Sequence, residues 1–138
     1  MIIYTDGASR NNPGKSASGY LILDENGKRV WSDSFYNGIK TNNQAEYIAV
    51  IAALEKAIEM FGIGEKVRLF SDSQIVVNQL NGSYKVKEAG LKELHERAER
   101  LAGRFAKFSI VNVPRENRYI SIVDKSLNVL LDEFGKER

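Results

Sequence analysis

The chain has 138 residues, a length at which a single domain can bury most of its apolar surface in one core. Hydrophobic residues make up 43% and charged residues 28% of the chain, which is ordinary globular usage and argues against disorder or a fibrous repeat. Because there is no cysteine, disulfide frameworks and thiolate metal sites are excluded, and a net charge of only +2 does not by itself indicate a polyanionic partner.

The first residues of the chain predict a strand, a loop and a hairpin. Residues 2–5 are β-rich and the strand is expected to end at Asp6, after which residues 8–14 are dense in Ser, Asn, Pro and Gly. Residues 19–23 and 29–35 are β-prone and flank a turn that contains Asn-Gly, a strong hairpin signal. Strands two and three are therefore expected to be antiparallel neighbours.

A long helix follows, and the chain then returns to the sheet. Residues 41–43 offer N-cap chemistry, and small or apolar residues recur on almost every face from 45 to 61, which predicts a central helix ending at Gly62. Residues 66–70 indicate a fourth strand, and residues 73–80 indicate a short helix.

The last third of the chain predicts two amphipathic helices around one strand. Residues 88–105 carry an apolar stripe along one helical face, and residues 108–113 are β-prone. Residues 114–122 are expected to be irregular, and residues 124–134 are expected to form the closing helix.

This order of elements predicts an α/β fold. We expect a mixed five-stranded sheet in which strands 1–3 form an antiparallel meander, strands 4 and 5 run parallel to strand 1, and helices cover both faces. Residues 1–138 are expected to form one domain. Because the chain lacks a long apolar run and a signal-like start, we expect a soluble cytoplasmic monomer without membrane contact, and no protein partner is implied.

Four acidic residues stand where these elements end or begin. They are Asp6 at the end of strand one, Glu46 in the first turn of the long helix, Asp72 after strand four and Asp124 at the start of the last helix. Ligands gather at the carboxyl ends of parallel strands, so Asp6 and Asp72 would lie together if strands one and four are adjacent. The two helix starts would bring the other acids to the same edge.

Each acid also has a purely structural explanation. Glu46 stands three residues after Asn43, the spacing of a capping box. Asp72 and Asp124 suit helix N-termini, where they complement the helix dipole, and Asp6 with the following glycine could form a turn. The joint placement of all four acids at one edge favours a shared chemical role instead.

Four crowded carboxylates would repel one another unless divalent cations neutralised them. Oxygen ligands in a chain without cysteine favour Mg²⁺, with Mn²⁺ as the alternative. Two such ions, roughly 3.5–4 Å apart, can activate a water on one side of a phosphate and stabilise the leaving oxygen on the other. The acids therefore predict phosphodiester hydrolysis.

Several segments of the chain carry a more specific signal. They are residues 4–9 (YTDGAS) with 11–14 (NNPG), 41–46 (TNNQAE), 71–74 (SDSQ), and 124–128 (DKSLN) after 113–117 (VPREN). In order and spacing they resemble the successive motifs of type 1 ribonuclease H across the whole chain. The resemblance implies the ribonuclease H-like fold and an endonuclease that cuts the RNA strand of RNA–DNA hybrids, leaving 5′-phosphate and 3′-hydroxyl ends.

The same resemblance implies roles for individual residues. Those implied as catalytic metal ligands are Asp6, Glu46, Asp72 and Asp124. Those implied in substrate binding are Asn12, Asn42, Asn43 and Gln74, with Thr41 seating a DNA phosphate. Short amides suit this role, because they can donate to and accept from the 2′-hydroxyls of an A-like minor groove. Turn and capping duties are the alternative for Asn12 and Asn43.

Two features depart from the common family pattern. The segment before Asp124 has no histidine, so Arg115 and Arg118 are expected to contact phosphate there, with a merely solvated basic loop as the alternative. Residues 81–90 are too few for the basic protrusion of some bacterial members, so the chain is similar to the short, archaeal-like form.

Two other functions stay open at this point. The first is a nuclease of the same fold that acts on double-stranded RNA or on DNA junctions, and the second is a catalytically silent module that only binds hybrids. The candidate amides that read 2′-hydroxyls disfavour the first function, and four intact acids disfavour the second.

Overall fold

The computed structural model describes residues 1–136 of the chain. Its elements, in chain order, are β1 (Ile2–Ser9), β2 (Gly14–Leu23), β3 (Arg29–Lys40), α1 (Asn42–Phe61), β4 (Lys66–Ser71), α2 (Gln74–Leu80), α3 (Ala89–Ala102), β5 (Lys107–Asn112) and α4 (Arg118–Lys136). The described part of the chain contains no helix that is both long and apolar enough to span a membrane.

The strands form one mixed sheet in the order β3-β2-β1-β4-β5. β1, β2 and β3 are an antiparallel meander, while β4 is parallel to β1 and β5 is parallel to β4. The predicted fold class and topology are therefore confirmed. The adjacency of β1 and β4, on which the grouping of the acids depended, is present.

Helices cover the two faces of the sheet unequally. α1 packs on β1 and β2 and is itself packed against α3, and this side holds the larger core around Ile3, Tyr47, Leu54 and Leu69. α4 packs on the other face of β1, β2 and β3, with Leu127 and Leu131 buried against Ala17 and Leu21. The apolar stripes predicted for the long helices face these two cores.

The meander strands are longer than predicted. The segment expected to be a loop after Asp6 continues β1 to Ser9, because these residues pair with the start of β2, which begins at Gly14. The small residues after Asp6 have little intrinsic preference for strands, so the sequence of this segment did not predict a strand. The strand forms because the segment pairs with β2.

The last helix begins earlier than predicted. The side chain of Asn117 accepts hydrogen bonds from the amide nitrogens of Tyr119, at 2.9 Å, and Ile120, at 3.2 Å, which starts α4 at Arg118. The prediction that Asp124 opens this helix is therefore wrong, since Asp124 lies in its second turn. The difference arises because Asn117, three residues after Pro114, caps the helix.

Candidate active site

The parallel pairing of β1 with β4 brings two of the acids side by side. Thr5 of β1 and Ser71 of β4 form the last residue pair between these two strands. Asp6 and Asp72 follow them directly, so both lie at the carboxyl end of this strand pair. β1 stops pairing with β4 just before Asp6, but β1 itself continues to Ser9 through its pairing with β2. The prediction that the strand ends at Asp6 is therefore correct only for its pairing with β4.

Glu46 lies beside the other two acids because α1 crosses β1 at Gly7. The two backbones are so close there that position 7 has no room for a side chain. A Cβ on Gly7 would lie 2.4 Å from the carbonyl carbon of Ala45 and 2.5 Å from the amide nitrogen of Glu46. The hydroxyl of Ser18 in β2 also donates a 2.6 Å hydrogen bond to the carbonyl oxygen of Ala45. These contacts hold the start of α1 against the sheet and place Glu46 beside Asp6.

Three carboxylates meet at this crossing. One oxygen from each of Asp6, Glu46 and Asp72 lies within 4.8 Å of the others. Asp6 and Glu46 are only 5% and 8% exposed, and Oε1 of Glu46 is buried without a hydrogen-bond partner among residues 1–136. A buried oxygen without a partner costs free energy, so this three-carboxylate cluster has an unmet capacity for a donor or a cation.

The purely structural explanations do not apply to Glu46, Asp6 and Asp124, and Asp72 is not a capping residue. The capping box of α1 is formed by Thr41 and Gln44, and α1 begins earlier than predicted, so Glu46 lies in the second turn without a capping role. Ser73, not Asp72, caps α2. The remaining two acids lie inside a strand and inside a helix.

Burial and mutual repulsion raise the pKa values of the clustered acids. Burial, followed by the negative charges of Asp72 and Asp124, raises the pKa of Asp6 to about 8. Burial and the charge of Asp6 raise the pKa of Glu46 well above its usual range, and burial also raises the pKa of Asp72. The guanidinium of Arg115 opposes the shifts at Asp6 and Asp72. The cluster therefore retains protons near neutral pH unless a cation replaces them.

Divalent cations fit this donor set. Carboxylate oxygens are the hard ligands that Mg²⁺ and Mn²⁺ prefer. A bound cation would give Oε1 of Glu46 a partner and would offset the repulsion among the three carboxylates. Asp6, Glu46 and Asp72 are the residues that could hold such an ion.

An open cleft of about 370 Å³ surrounds the cluster. Asp124 lines this cleft from α4, and its charge raises the pKa of Asp6, although it is not among the carboxylates that meet within 4.8 Å. Arg115 lines the cleft as well. Arg118 does not line this cleft, and its guanidinium lies 5.6 Å from the centre of the Tyr119 ring.

Three predicted substrate contacts lie where the loop between β1 and β2 meets the start of α1. The side-chain oxygen of Asn12 accepts a 3.0 Å hydrogen bond from the amide nitrogen of Asn42, whose own side-chain oxygen accepts one of 2.8 Å from the amide nitrogen of Ser9. Thr41 caps α1 by accepting from the amide nitrogen of Gln44 at 3.1 Å. These side chains fix the loop relative to the acids.

The other two predicted contacts lie toward α2. Asn43 lines a groove with Ile75, Lys85 and Lys87, so the lysines of the short segment between α2 and α3 are beside it. Gln74 is exposed as the first residue of α2, two residues after Asp72. The predicted polar contacts thus flank the acids on two sides.

Two residues to which the sequence assigned no role also line the cleft. Arg10 comes from the loop after β1, and Asn128 comes from α4, one helical turn after Asp124. The four-residue spacing could have linked Asn128 to Asp124, because such residues are neighbours on a helix. No local pattern links Arg10 to α4.

In metal-free buffer we expect the protein to lose stability as the pH rises. The pKa of Asp6 is about 8 when folded and near 3.9 when unfolded, so its stabilising contribution is complete below about pH 4 and is lost as the pH rises through about 8. Glu46 and Asp72 shift in the same direction.

Urea unfolding in EDTA should therefore give a lower free energy of unfolding at about pH 8 than at about pH 5. Added Mg²⁺ should restore more stability at the higher pH, because the carboxylates must be deprotonated to bind it. A free energy of unfolding that stays level or increases between these pH values would contradict the raised pKa values.

Comparisons with known proteins agree with the fold. A family model described as "Reverse transcriptase-like" matches residues 4–121. The chain is 43% identical over 112 residues to ribonuclease HI of Halobacterium salinarum, a match that covers 81% of this chain and 55% of that relative. The crystal structure of RNase H1 from the same archaeon matches with a TM-score of 0.89 at 38% identity, covering 96% of this chain and 97% of that one.

A second solved structure contains nucleic acid. It is LC11-RNase H1 in complex with an RNA/DNA hybrid, which matches with a TM-score of 0.83 at 38% identity over 94% of this chain and 98% of its own. The chain spans about half the length of the curated halobacterial relative and 35% of the length of curated mycobacterial relatives.

Proposed function

Since the chain belongs to the type 1 ribonuclease H family, we propose that it is an endonuclease that hydrolyses the RNA strand of RNA–DNA hybrids, leaving 5′-phosphate and 3′-hydroxyl ends. The observation that carries this proposal is the meeting of Asp6, Glu46 and Asp72 within 4.8 Å, with a buried oxygen of Glu46 that has no partner among the described residues. The hybrid bound to LC11-RNase H1 supports the choice of substrate.

The proposed cofactor is Mg²⁺, with Mn²⁺ as the alternative, held by the catalytic acids Asp6, Glu46, Asp72 and Asp124. When bound with substrate, two such ions would supply Lewis-acid chemistry for activating a water and stabilising the leaving oxygen of a phosphodiester. The fold itself positions three of these acids. The last residue pair between β1 and β4 places Asp6 and Asp72 side by side, and the crossing of α1 over β1 places Glu46 beside them. Arg115, on the same cleft, supplies positive charge that a phosphate can contact.

Amide side chains on both sides of the acids are proposed to read the hybrid. Asn12 and Asn42 act from the loop after β1 and the start of α1, while Asn43 and Gln74 act from the side of α2. Thr41 is proposed to seat a phosphate of the DNA strand. Contacts to 2′-hydroxyls would place the RNA strand over the acids. A phosphate contact by Arg118 stays a prediction, since this residue lies over Tyr119.

We also propose that residues 1–138 act as a single domain, as a monomer in the cytoplasm. Support for one domain is that every described helix packs with the same five-stranded sheet or with a helix on it. Sedimentation of the purified chain at increasing concentration should give a constant mass, and a mass that doubles would refute the monomer.

A cleavage assay tests the proposed function. The purified chain would be incubated with end-labelled RNA–DNA hybrid, double-stranded RNA, a DNA junction or duplex DNA, each with Mg²⁺, Mn²⁺ or EDTA. We expect cleavage of the RNA strand of the hybrid alone, and only with metal. Preferred cleavage of double-stranded RNA or of the junction would assign a different substrate, while binding without cleavage would make the chain a silent binding module.

Hybrid cleavage is expected to need several consecutive ribonucleotides. Amides such as Asn12 and Asn43, on two sides of the acids, lose hydrogen-bond partners when the flanking sugars lack 2′-hydroxyls. A duplex with a single embedded ribonucleotide should therefore be cut about 5- to 30-fold more slowly than one with four, if one or two hydrogen bonds of about 1 kcal/mol are lost. Equal rates on the two substrates would show that the flanking 2′-hydroxyls are not read.

A further inference from the structure

We propose that Asn128 and Arg10 are positioning residues that set the orientation of the Asp124 carboxylate, the one acid outside the three-carboxylate cluster. The inference rests on the proposed function, in which Asp124 is a metal ligand. The other three acids are placed by strand pairing and by the crossing of α1 over β1. Asp124 extends from α4, so its orientation needs a different support.

A chain of hydrogen bonds provides this support across the edge of the cleft. Nδ2 of Asn128 donates to Oδ2 of Asp124 at 3.3 Å and to the carbonyl oxygen of Asp124 at 3.1 Å. Nη2 of Arg10 donates to the side-chain oxygen of Asn128 at 3.2 Å and lies 3.4 Å from its carbonyl oxygen. The same Nη2 donates to Asp132 at 2.8 Å, so one guanidinium connects two turns of α4.

The chemistry of the three side chains sets the direction of this chain. A guanidinium offers only donors and an ionised carboxylate only acceptors, whereas an amide offers both. Arg10 therefore fixes the oxygen of the Asn128 amide toward itself, and the nitrogen is left to face Asp124. An aspartate at 128 would present a second acceptor to Asp124, and an alanine would leave the Asp124 carboxylate without a side-chain donor among residues 1–136.

The strands β2 and β3, which follow the loop that carries Arg10, contact the end of α4. Nζ of Lys15 donates a 2.7 Å hydrogen bond to the carbonyl oxygen of Phe134, and the rings of Tyr36 and Phe134 stack with centroids 3.9 Å apart. A cation near the last carbonyls of a helix also complements its dipole. The end of α4 is thus held against β2 and β3, and Arg10 of the preceding loop contacts Asn128, so that a change at Arg10 is transmitted to Asp124 through Asn128.

The direction in which cation binding changes when Arg10 is removed distinguishes a positioning role from a purely electrostatic one. If Arg10 acted only through its positive charge, its removal would strengthen cation binding at the nearby acids. If it acts by orienting Asp124 through Asn128, its removal weakens cation binding instead. Substitution of Asn128 changes no charge and should weaken cation binding in the same way.

The experiment measures Mn²⁺ binding without substrate, as the rise in unfolding temperature during Mn²⁺ titration of the whole chain. For Arg10→Met and Asn128→Ala, we expect the half-saturating Mn²⁺ concentration to rise by about three- to tenfold, at or below the lower end of the effects of residues that orient metal ligands. The double variant should match Asn128→Ala alone, because both act through one contact. Arg10→Lys, which keeps N–H donors and the positive charge, should stay within about twofold of the wild type.

Arg97→Met is the matched control. Its guanidinium forms an ion pair with Glu55 at the same 2.8 Å distance and with similar exposure, 51% for Arg97 and 44% for Arg10. It should leave the half-saturating Mn²⁺ concentration unchanged. In cleavage assays, Arg10→Met and Asn128→Ala should raise the Mg²⁺ requirement while the KM for hybrid stays as in the wild type, since neither change removes a proposed substrate contact.

An unchanged or lower half-saturating Mn²⁺ concentration in both variants would overturn the positioning role. Failure of the wild-type chain to cleave hybrid would instead overturn the proposed function. Because the Mn²⁺ titration contains no nucleic acid, it distinguishes these two failures.

Discussion

Asp6→Asn and Asp72→Asn are each expected to reduce hybrid cleavage in Mg²⁺ by at least about a thousandfold, beyond the roughly 10- to 100-fold effects of residues that only orient a metal ligand. Each substitution removes a charged oxygen from the three-carboxylate cluster and keeps nearly the same shape. The measurement is the single-turnover rate at saturating hybrid. Wild-type turnover by either variant would remove that acid from the catalytic set.

The same variants should remain folded and should be at least as stable as the wild type in EDTA near neutral pH. Burial and repulsion raise the pKa of Asp6 to about 8, so a neutral amide at this position removes the cost of keeping the carboxyl protonated in the fold near neutral pH. Asp33→Asn is the control, because it removes one carboxylate from the exposed strand β3. It should change neither cleavage nor the dependence of stability on metal.

Gly7→Ala is expected to destabilise the fold by about 3 kcal/mol or more, at the upper end of the cost of inserting a methyl group into a packed site. The new Cβ would lie 2.4–2.5 Å from backbone atoms of Ala45 and Glu46, which cannot move aside as a flexible side chain could. The backbone of Gly7 is outside the left-handed region. Conformational entropy alone would therefore favour alanine by about 0.4–1 kcal/mol, so the contact decides the sign.

Urea unfolding measures the effect, and Gly64→Ala is the matched control. A Cβ at Gly64 meets no atom within 4 Å, and its φ is also outside the left-handed region, so its stability should be unchanged or slightly higher. Any Gly7→Ala protein that remains folded should also lose Mn²⁺ binding, because the inserted methyl separates Glu46 from Asp6. Wild-type stability of Gly7→Ala would show that α1 does not cross β1 this closely.

The sequence alone determined the order of the elements and the sheet topology. Alternating and helical periodicities can be recognised from neighbouring residues alone. An Asn-Gly turn marks the β2–β3 hairpin, and a capping residue and a glycine mark the two ends of α1. With the topology known, the rule that ligands gather at the carboxyl ends of parallel strands was enough to group Asp6 with Asp72.

Tertiary structure alone decided how the acids are supported. The continuation of β1 to Ser9 depends on pairing with β2, and the position of Asp124 within α4 depends on a cap at Asn117. The closeness of Gly7 to α1 and the hydrogen bonds that join Arg10 to Asn128 connect segments that are far apart in the chain. Such contacts leave no periodic trace in the sequence, because they depend on the distance between packed backbones rather than on the residues adjacent in the chain.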